Sequence, residues 1–221
     1  LKMFDRDKNI DIIYIVFNNY EDILKSLSSL NRVVNSELNL NIFIIDNSTS
    51  YIFKEKQKSL KAFCNKLKEN NKFGTIKYVC NKKNIGFGKA CNQGANISKS
   101  EKILLLNCDT IFTKKNILID LYNQCNNDNV IVGPLIRNIN NQEEESFFSF
   151  EPKSIILKPL KTLIHIKSLK SKYLNNNLLN LNYKNYHQKT LNKTKYVDWL
   201  SGCCLLVERD FFESVNGFDD S

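Results

Sequence analysis

With 221 residues, 42% of them hydrophobic, the chain is long enough to bury one sizeable core. No apolar run approaches the roughly 18 residues that would cross a bilayer, and the charged start LKMFDRDKNI is unlike a secretory leader, so a soluble, cytoplasmic chain is expected. The formal net charge is +9, yet residues 152–197 hold ten lysines and no acidic residue, which leaves 22 basic against 23 acidic side chains elsewhere.

The run IDIIYIVF, Ile10 to Phe17, is apolar and largely β-branched apart from Asp11, as expected of a strand covered on both faces. Ile23, Leu27, Leu30 and Val34 follow at helical spacing. NIFIID, Asn41 to Asp46, predicts a second buried strand, and Ile52, Leu60, Phe63 and Leu67 a second helix. A third strand is expected over Thr75 to Val79, a helix in KACNQGANIS, and a fourth strand over Lys102 to Leu106. KKNILIDLYNQC predicts a further helix and Val130 to Gly133 a fifth strand. Strand and helix alternate through short connections, which points to a largely parallel sheet with helices on both faces and to ligand binding at the carboxyl ends of the strands.

From about Asn138 to Lys195 the alternation stops. NQEEES reads as a solvated loop and PLKTLIHIKSLKSKYL as an amphipathic helix opened by Pro159. The next stretch has no period to which structure should be assigned. A strand over Cys203 to Val207 and a helix close the chain, whose ends at Leu1 and Ser221 read as cut edges of a larger protein.

The seven cysteines contain no C-x-x-C pair and most fall in predicted elements, so reduced, core-filling thiols are expected. His165 and His187 lie in the lysine-rich segment without a partner at ligand spacing and read as solvated surface. Only four of the basic residues are arginine, which marks a compositional drift towards lysine. The basic segment has few aromatics to stack bases, which argues against nucleic acid; it reads as a compositional surface, as a surface that steers an anionic donor, or, slightly favoured, as one that docks on an anionic membrane.

A dinucleotide fingerprint would place G-x-G-x-x-G after the first strand, where the sequence instead reads FNNY, and no P-loop pattern is present. The glycines Gly86, Gly88 and Gly94 follow the third strand in NIGFGKACNQG. Glycine there lets main chain approach a ligand and lets a helix begin with free N–H groups aimed at phosphate, with the amides of Asn84 and Asn92 beside it. Asp46, ending the second strand, can accept hydrogen bonds from a base or ribose. Asp109 stands just beyond a buried strand, where a cation would satisfy its charge. Taken singly, each of these acids reads as a helix cap.

Together these residues resemble the inverting nucleotide-sugar glycosyltransferases of family 2, with the GT-A fold, and in particular their rhamnosyltransferase-like branch. The resemblance rests on IVFNNYEDILKSLSSL for V-T-Y-N and the first helix, IIDNSTS for V-D-N-x-S, NIGFGKACNQG for N-x-G-F-x-x-x-x-N-x-G, LLLNCDT for L-x-L-N-P-D, and VDWLSGCCLLVERDFFESVNGFDDS for the closing W-x-x-G segment. It implies an α/β, Rossmann-like sheet in a single GT-A domain. Within it residues 9–137 form the nucleotide-sugar half, 138–197 a basic, partly irregular insertion, and 198–221 the acceptor-side strand and helix.

By the same resemblance the donor is bound by Phe17, Asn18, Asn19, Asp46, Asn47, Asn84, Gly86, Phe87, Gly88, Asn92, Asn107 and Asp109. Asp109 holds a divalent metal, Mn2+ or Mg2+, and Trp199, Ser201 and Gly202 face the acceptor. The implied reaction moves rhamnose or another hexose from a dTDP- or UDP-sugar to a glycan or lipid-linked acceptor of the cell envelope. Two departures stand out. The D-x-D acids are Asn107-Cys108-Asp109, with one carboxylate, and the family's general base would fall after Ser221. Asp220 is the weaker candidate for that base, and a domain that binds nucleotide or glycan without turnover is the alternative reading.

Overall fold

A computed structural model of the chain describes residues 8–34, 36–48, 53–126, 128, 130–144, 146–148, 194 and 196–219. It divides into two compact units, Leu1–Ser146 with Ser201–Ser221, and Phe147–Leu200. The expected insertion over 138–197 overlaps the second unit, while residues 138–146 belong to the first. The amphipathic helix opened by Pro159, and Ile52, His165, His187 and Asp220, lie outside the described residues.

In the first unit the elements run β1 (Asn9–Val16), α1 (Tyr20–Val33), β2 (Asn39–Asp46), α2 (Lys54–Glu69), β3 (Ile76–Cys80), α3 (Phe87–Ile97), β4 (Lys102–Asn107), α4 (Ile117–Gln124) and β5 (Ile131–Val132). The second unit contributes a two-stranded antiparallel ribbon, β6 (Phe147–Phe148) with β7 (Trp199–Leu200). The first unit then resumes with β8 (Cys204–Glu208) and α5 (Arg209–Ser214).

The large sheet has the order β3-β2-β1-β4-β8-β5. β3, β2, β1 and β4 are parallel. β8 runs antiparallel to β4 and to β5. Side chains of a strand alternate between faces, and β1 shows the consequence. Ile10, Ile12, Tyr14 and Val16 pack with α1, α2 and α4 in one core cluster, while Ile13 packs with Ala90, Cys91 and Ala95 of α3 and Phe212 of α5 in another. Each fully buried Ile or Leu of these layers stabilises the fold by roughly 1.5–3 kcal/mol.

The helices form where that pattern demands them. α1 places Tyr20, Ile23, Leu27 and Leu30 on one buried stripe, with Glu21 and Asp22 in its first turn and Arg32 in its last, complementing the helix dipole. α3 is built of small residues and lies close to the sheet. A Cβ on Gly94 would collide with the Ile13 side chain.

At the amino ends of the strands Asp11 is buried and accepts the N–H groups of Lys99 and Ser100, both at 2.6 Å, with Arg209 at 3.6 Å. This pins the α3–β4 connection and the start of α5. Lys102 and Glu208 pair across β4 and β8. All these ionic contacts sit away from the carboxyl ends of the parallel strands and hold the scaffold only.

Candidate active site

The chain runs outward from β1 to β2 and β3 on one side and returns to β4 on the other, so β1 and β4 flank the topological switch point. Loops leaving neighbouring strands in opposite directions open a crevice there. In this crevice lies a cleft of about 340 Å3, lined by Ile15, Phe17, Asn19, Asn47, Asn84, Gly86, Phe87, Asn107, Cys108 and Asp109. Four strand ends contribute to it.

The loops are stapled to one another by main-chain and hydroxyl contacts. Asn47 N–H donates to Val16 O at 2.8 Å, Asn18 N–H to Ser48 Oγ at 2.8 Å, and Asn81 N–H to Asp46 O at 2.8 Å. Asn18 adopts φ of 65°, a left-handed turn that asparagine tolerates, and it redirects the chain from β1 into α1. Gly86 also has positive φ, 88°, and open space where a Cβ would stand. Its bare main chain therefore faces the cleft mouth at the start of α3. The rings of Phe17 and Phe87 are close to half exposed and form apolar walls.

Of the residues expected to touch a donor, Asn18 is exposed but is not among those lining the cleft, and three others are turned elsewhere. Asp46 is fully buried. Its carboxylate accepts the hydroxyls of Tyr20, at 2.8 Å, and of Tyr78, and the N–H of Ser48 at 2.9 Å, with Gln57 Nε2 at 3.4 Å. A base or ribose has no access to it, so Asp46 acts as an internal tie between β2, α1 and β3. Burial is the main reason that both tyrosine hydroxyls are pushed up in pKa, and the adjoining carboxylate adds to it. Asn92 spends its amide on Phe218, donating to the carbonyl and accepting the N–H, each at 2.9 Å. Gly88 is small because Phe218 and Asp219 lie against it: a Cβ would stand 3.1 Å from Phe218 Cβ and 3.2 Å from Asp219 O.

On the acceptor side, Ser201 donates its N–H to Ser146 O at 2.8 Å, and Gly202 is exposed in the turn into β8. Neither is among the cleft's lining residues. Trp199 is half exposed on β7 and belongs to the second unit.

The donor set suits a hard divalent ion held mostly by its ligand. Asp109 is exposed and is the one acid among the residues lining the cleft. The neighbouring Cys108 is buried, and burial, with Asp109 beside it, pushes its thiol up to about 11. Among the described residues no group of three or more His, Cys, Asp or Glu is placed to cage a metal. Mg2+-like ions are commonly bound by one or two carboxylates together with substrate phosphates, and one carboxylate beside an open cleft fits that pattern.

The sequence profile described as "Glycosyl transferase family 2" matches residues 11–213, nearly the whole chain. The chain belongs to glycosyl transferase family 2. No curated protein matches it by sequence. Among solved structures it is similar to GalNAc-T7 with UDP, GalNAc and Mn2+, at 16% identity and a TM-score of 0.62, over 98% of this chain and 38% of that one. It is also similar to the mannosyltransferase PcManGT of Pyrobaculum calidifontis in complex with GDP-Man and Mn2+, at 10% identity and a TM-score of 0.57, over 100% of this chain and 52% of that one. The likeness establishes the GT-A fold. The family 2 chain spans about half the length of the mannosyltransferase and well under half of GalNAc-T7.

Several residues that shape this family 2 site were not read from the sequence. Tyr20 and Tyr78 seal Asp46 from distances of 26 and 32 residues along the chain. Asn81 and Gln93 join amides beside the cleft. In a chain rich in asparagine, neither stood out.

Proposed function

We propose that this family 2 chain is an inverting glycosyltransferase that moves a hexose from a nucleoside diphosphate donor to an acceptor hydroxyl. The observation that carries this reading is a cleft at the β1/β4 switch point that brings together Phe17, Asn19, Asn47, Asn84, Gly86, Phe87, Asn107 and Asp109 from four strand ends. GDP-Man, and UDP with GalNAc, are bound by the two structural neighbours. For this chain a dTDP- or UDP-sugar is assigned, with rhamnose as the leading sugar from the sequence resemblance and a glycan or lipid-linked chain of the cell envelope as acceptor. The lysine-rich stretch 152–197 supports association with an anionic membrane surface. Among the described residues no helix is long and apolar enough to cross a membrane.

In this mechanism the base or sugar of the donor packs on the rings of Phe17 and Phe87. The diphosphate lies over Gly86, where the N–H groups that open α3 point towards negative charge. Asp109, with Asn107 beside it, would hold Mn2+ or Mg2+, which when bound neutralises charge on the leaving diphosphate. The acceptor oxygen attacks the anomeric carbon in line as the nucleoside diphosphate departs. Its proton passes to a carboxylate, assigned to Asp220 or to a residue C-terminal to it, and such help contributes about 10²–10⁴ in rate.

A second reading, a domain that holds nucleotide without turnover, is favoured by Asp109 being the one acid lining the cleft. Titration of the protein with UDP, dTDP and GDP, with and without Mn2+, tests both. Mn2+-dependent stabilisation is expected, about 2.7 kcal/mol at 100 times the dissociation constant, and indifference to all three nucleotides removes both readings. Release of nucleotide from the sugar donor in the presence of acceptor separates the enzyme from the binding domain.

A further inference from the structure

Gly86 is held at both ends by asparagine side chains. Its N–H donates to Asn84 Oδ1 at 2.9 Å, and its carbonyl accepts Asn47 Nδ2 at 3.1 Å and the Ala90 N–H of α3 at 3.3 Å. Because Gly86 is the N-cap of α3, its orientation sets where the helix meets the cleft. That orientation depends on which end of the Asn47 amide is turned towards it. A nitrogen donates to the Gly86 carbonyl, whereas an oxygen would repel it.

The Asn47 amide is directed by residues outside the cleft lining. Asn47 Oδ1 accepts Asn81 Nδ2 at 2.8 Å. The same nitrogen donates to Gln93 Oε1 at 2.9 Å, and Gln93 Nε2 returns a bond to Asn81 Oδ1 at 3.0 Å. Two acceptors thus converge on Asn81, and only its nitrogen end carries two hydrogens to serve both. Gln93 lies on α3 itself. The circuit therefore closes, from α3 through Gln93, Asn81 and Asn47 to Gly86 and back into the helix. Coupled hydrogen bonds of this kind polarise and lock one another.

We propose that Asn81 and Gln93 are positioning residues that keep the nitrogen of Asn47 facing Gly86, so that the main chain opening α3 is set for a diphosphate before the ligand arrives. This rests on the donor reading above and gives two residues that touch no ligand a share in its affinity. Preorganisation of this kind raises affinity by removing an ordering cost from the binding step.

The full chain and its variants would be titrated with UDP in saturating Mn2+, alongside urea unfolding of the ligand-free proteins. Gln93→Met removes the partner of Asn81 without adding charge, and it is expected to weaken UDP by about tenfold, the equivalent of one hydrogen bond. Gln93→Glu keeps an acceptor for Asn81 Nδ2 but loses the donor to Asn81 Oδ1, and its UDP affinity is expected to fall between those of the wild type and Gln93→Met. That order is the reverse of what added negative charge near an anionic ligand would produce, so charge alone cannot imitate it. Equal affinity for wild type and Gln93→Met overturns the inference, as does a loss that simply follows unfolding stability across the variants. Should Gln93→Met not fold, Asn81→Asp in high salt makes the same distinction, since it removes both donors with almost no change of shape; unchanged affinity there overturns the inference. A wild type that binds UDP, dTDP and GDP not at all overturns the donor reading, whereas a wild type that binds while the variants match it overturns this inference alone.

Discussion

Asn92 on α3 and Phe218 beyond α5 are 126 residues apart in sequence, yet the Asn92 amide satisfies both main-chain polar groups of Phe218, each at 2.9 Å. The chain approaches through Gly217 at φ of 69°, and a Cβ on Gly217 would collide with Asn92 Oδ1. The Phe218 ring then meets Phe87 and Phe212, each with centroids 6.0 Å apart and edge-on. Since Phe87 also lines the cleft, the closing segment braces one wall of the site.

Asn92→Ala removes both bonds from a partly buried position and is expected to lower the free energy of unfolding by about 1–3 kcal/mol. Gly88→Ala is expected to act on the same contact, because its new methyl would press on Phe218 and Asp219. Urea unfolding of both single variants and the double variant checks this. Both substitutions release one segment, so the double variant should lose less than the sum of the singles.

Gly94→Ala sets two effects against each other. Alanine gains about 1 kcal/mol of helix propensity over glycine. Here, however, its methyl would collide with Ile13 in the middle of the sheet, and overpacking a core costs about 1–3 kcal/mol. The clash is expected to win, leaving the variant less stable than the wild type by urea unfolding. A more stable variant would mean that α3 lies further from β1 than described.

Alkaline pH is expected to unfold the protein through its buried thiols and phenols. Burial pushes Cys64, Cys108 and Cys125 up to about 11 and Cys91 and Cys204 up to about 12, and it raises Tyr14, Tyr20 and Tyr78 as well. The folded state therefore holds these protons after the unfolded chain has released them. Stability is fully present below the unfolded values, near 8.5 for thiols and 10 for phenols, and falls as pH rises through them towards the folded values. Unfolding free energies measured from pH 7 to pH 11 should be level at first and then decline with a slope of more than one proton. Under native conditions at neutral pH the exposed Cys80 should react first with a thiol reagent.

Much of the scaffold was legible because apolar runs mark strands that are buried on both faces, as in β1, β2 and β4. The direction of β8 was not, since a run such as CLLVE reads the same whether its neighbour is parallel or antiparallel. The two-residue strands β6 and β7 are too short to carry a period, whereas β5 forms inside the expected run Val130 to Gly133. Within the site, Phe17, Asn19, Asn47 and Asp109, from the loops after β1, β2 and β4, line the cleft, whereas Asn18 does not. Asp46 failed for a local reason: it is the last residue of β2 and faces the layer that contains Tyr20 and Tyr78. No motif reports which way a side chain points, and the partners that seal Asp46 come from different elements. Asn92 and Gly88 fit a ligand-binding pattern in sequence but meet the chain's own closing segment in space.

The metal proposal gives the sharpest test, because Asp109 is the one acid lining the cleft and Asn107 stands where a second would be expected. A single exposed carboxylate should bind Mn2+ poorly alone and better once a diphosphate supplies further oxygens. UDP affinity should therefore rise with Mn2+, and Asp109→Asn should abolish the rise, weakening UDP in Mn2+ by about tenfold or more while leaving affinity in chelator the same or somewhat tighter, since a charge that repels the phosphates is gone. Folding stability should move by no more than about 0.5 kcal/mol, as for other exposed positions. Asn107→Asp should act in the opposite direction. It adds a second carboxylate at the cleft wall, so Mn2+ binding without nucleotide should become detectable, and UDP without metal should weaken through repulsion of its phosphates. Calorimetric titrations of the three proteins, with Mn2+ and with chelator, read both effects. If Asp109→Asn binds UDP as tightly in Mn2+ as the wild type does, the metal is not held there.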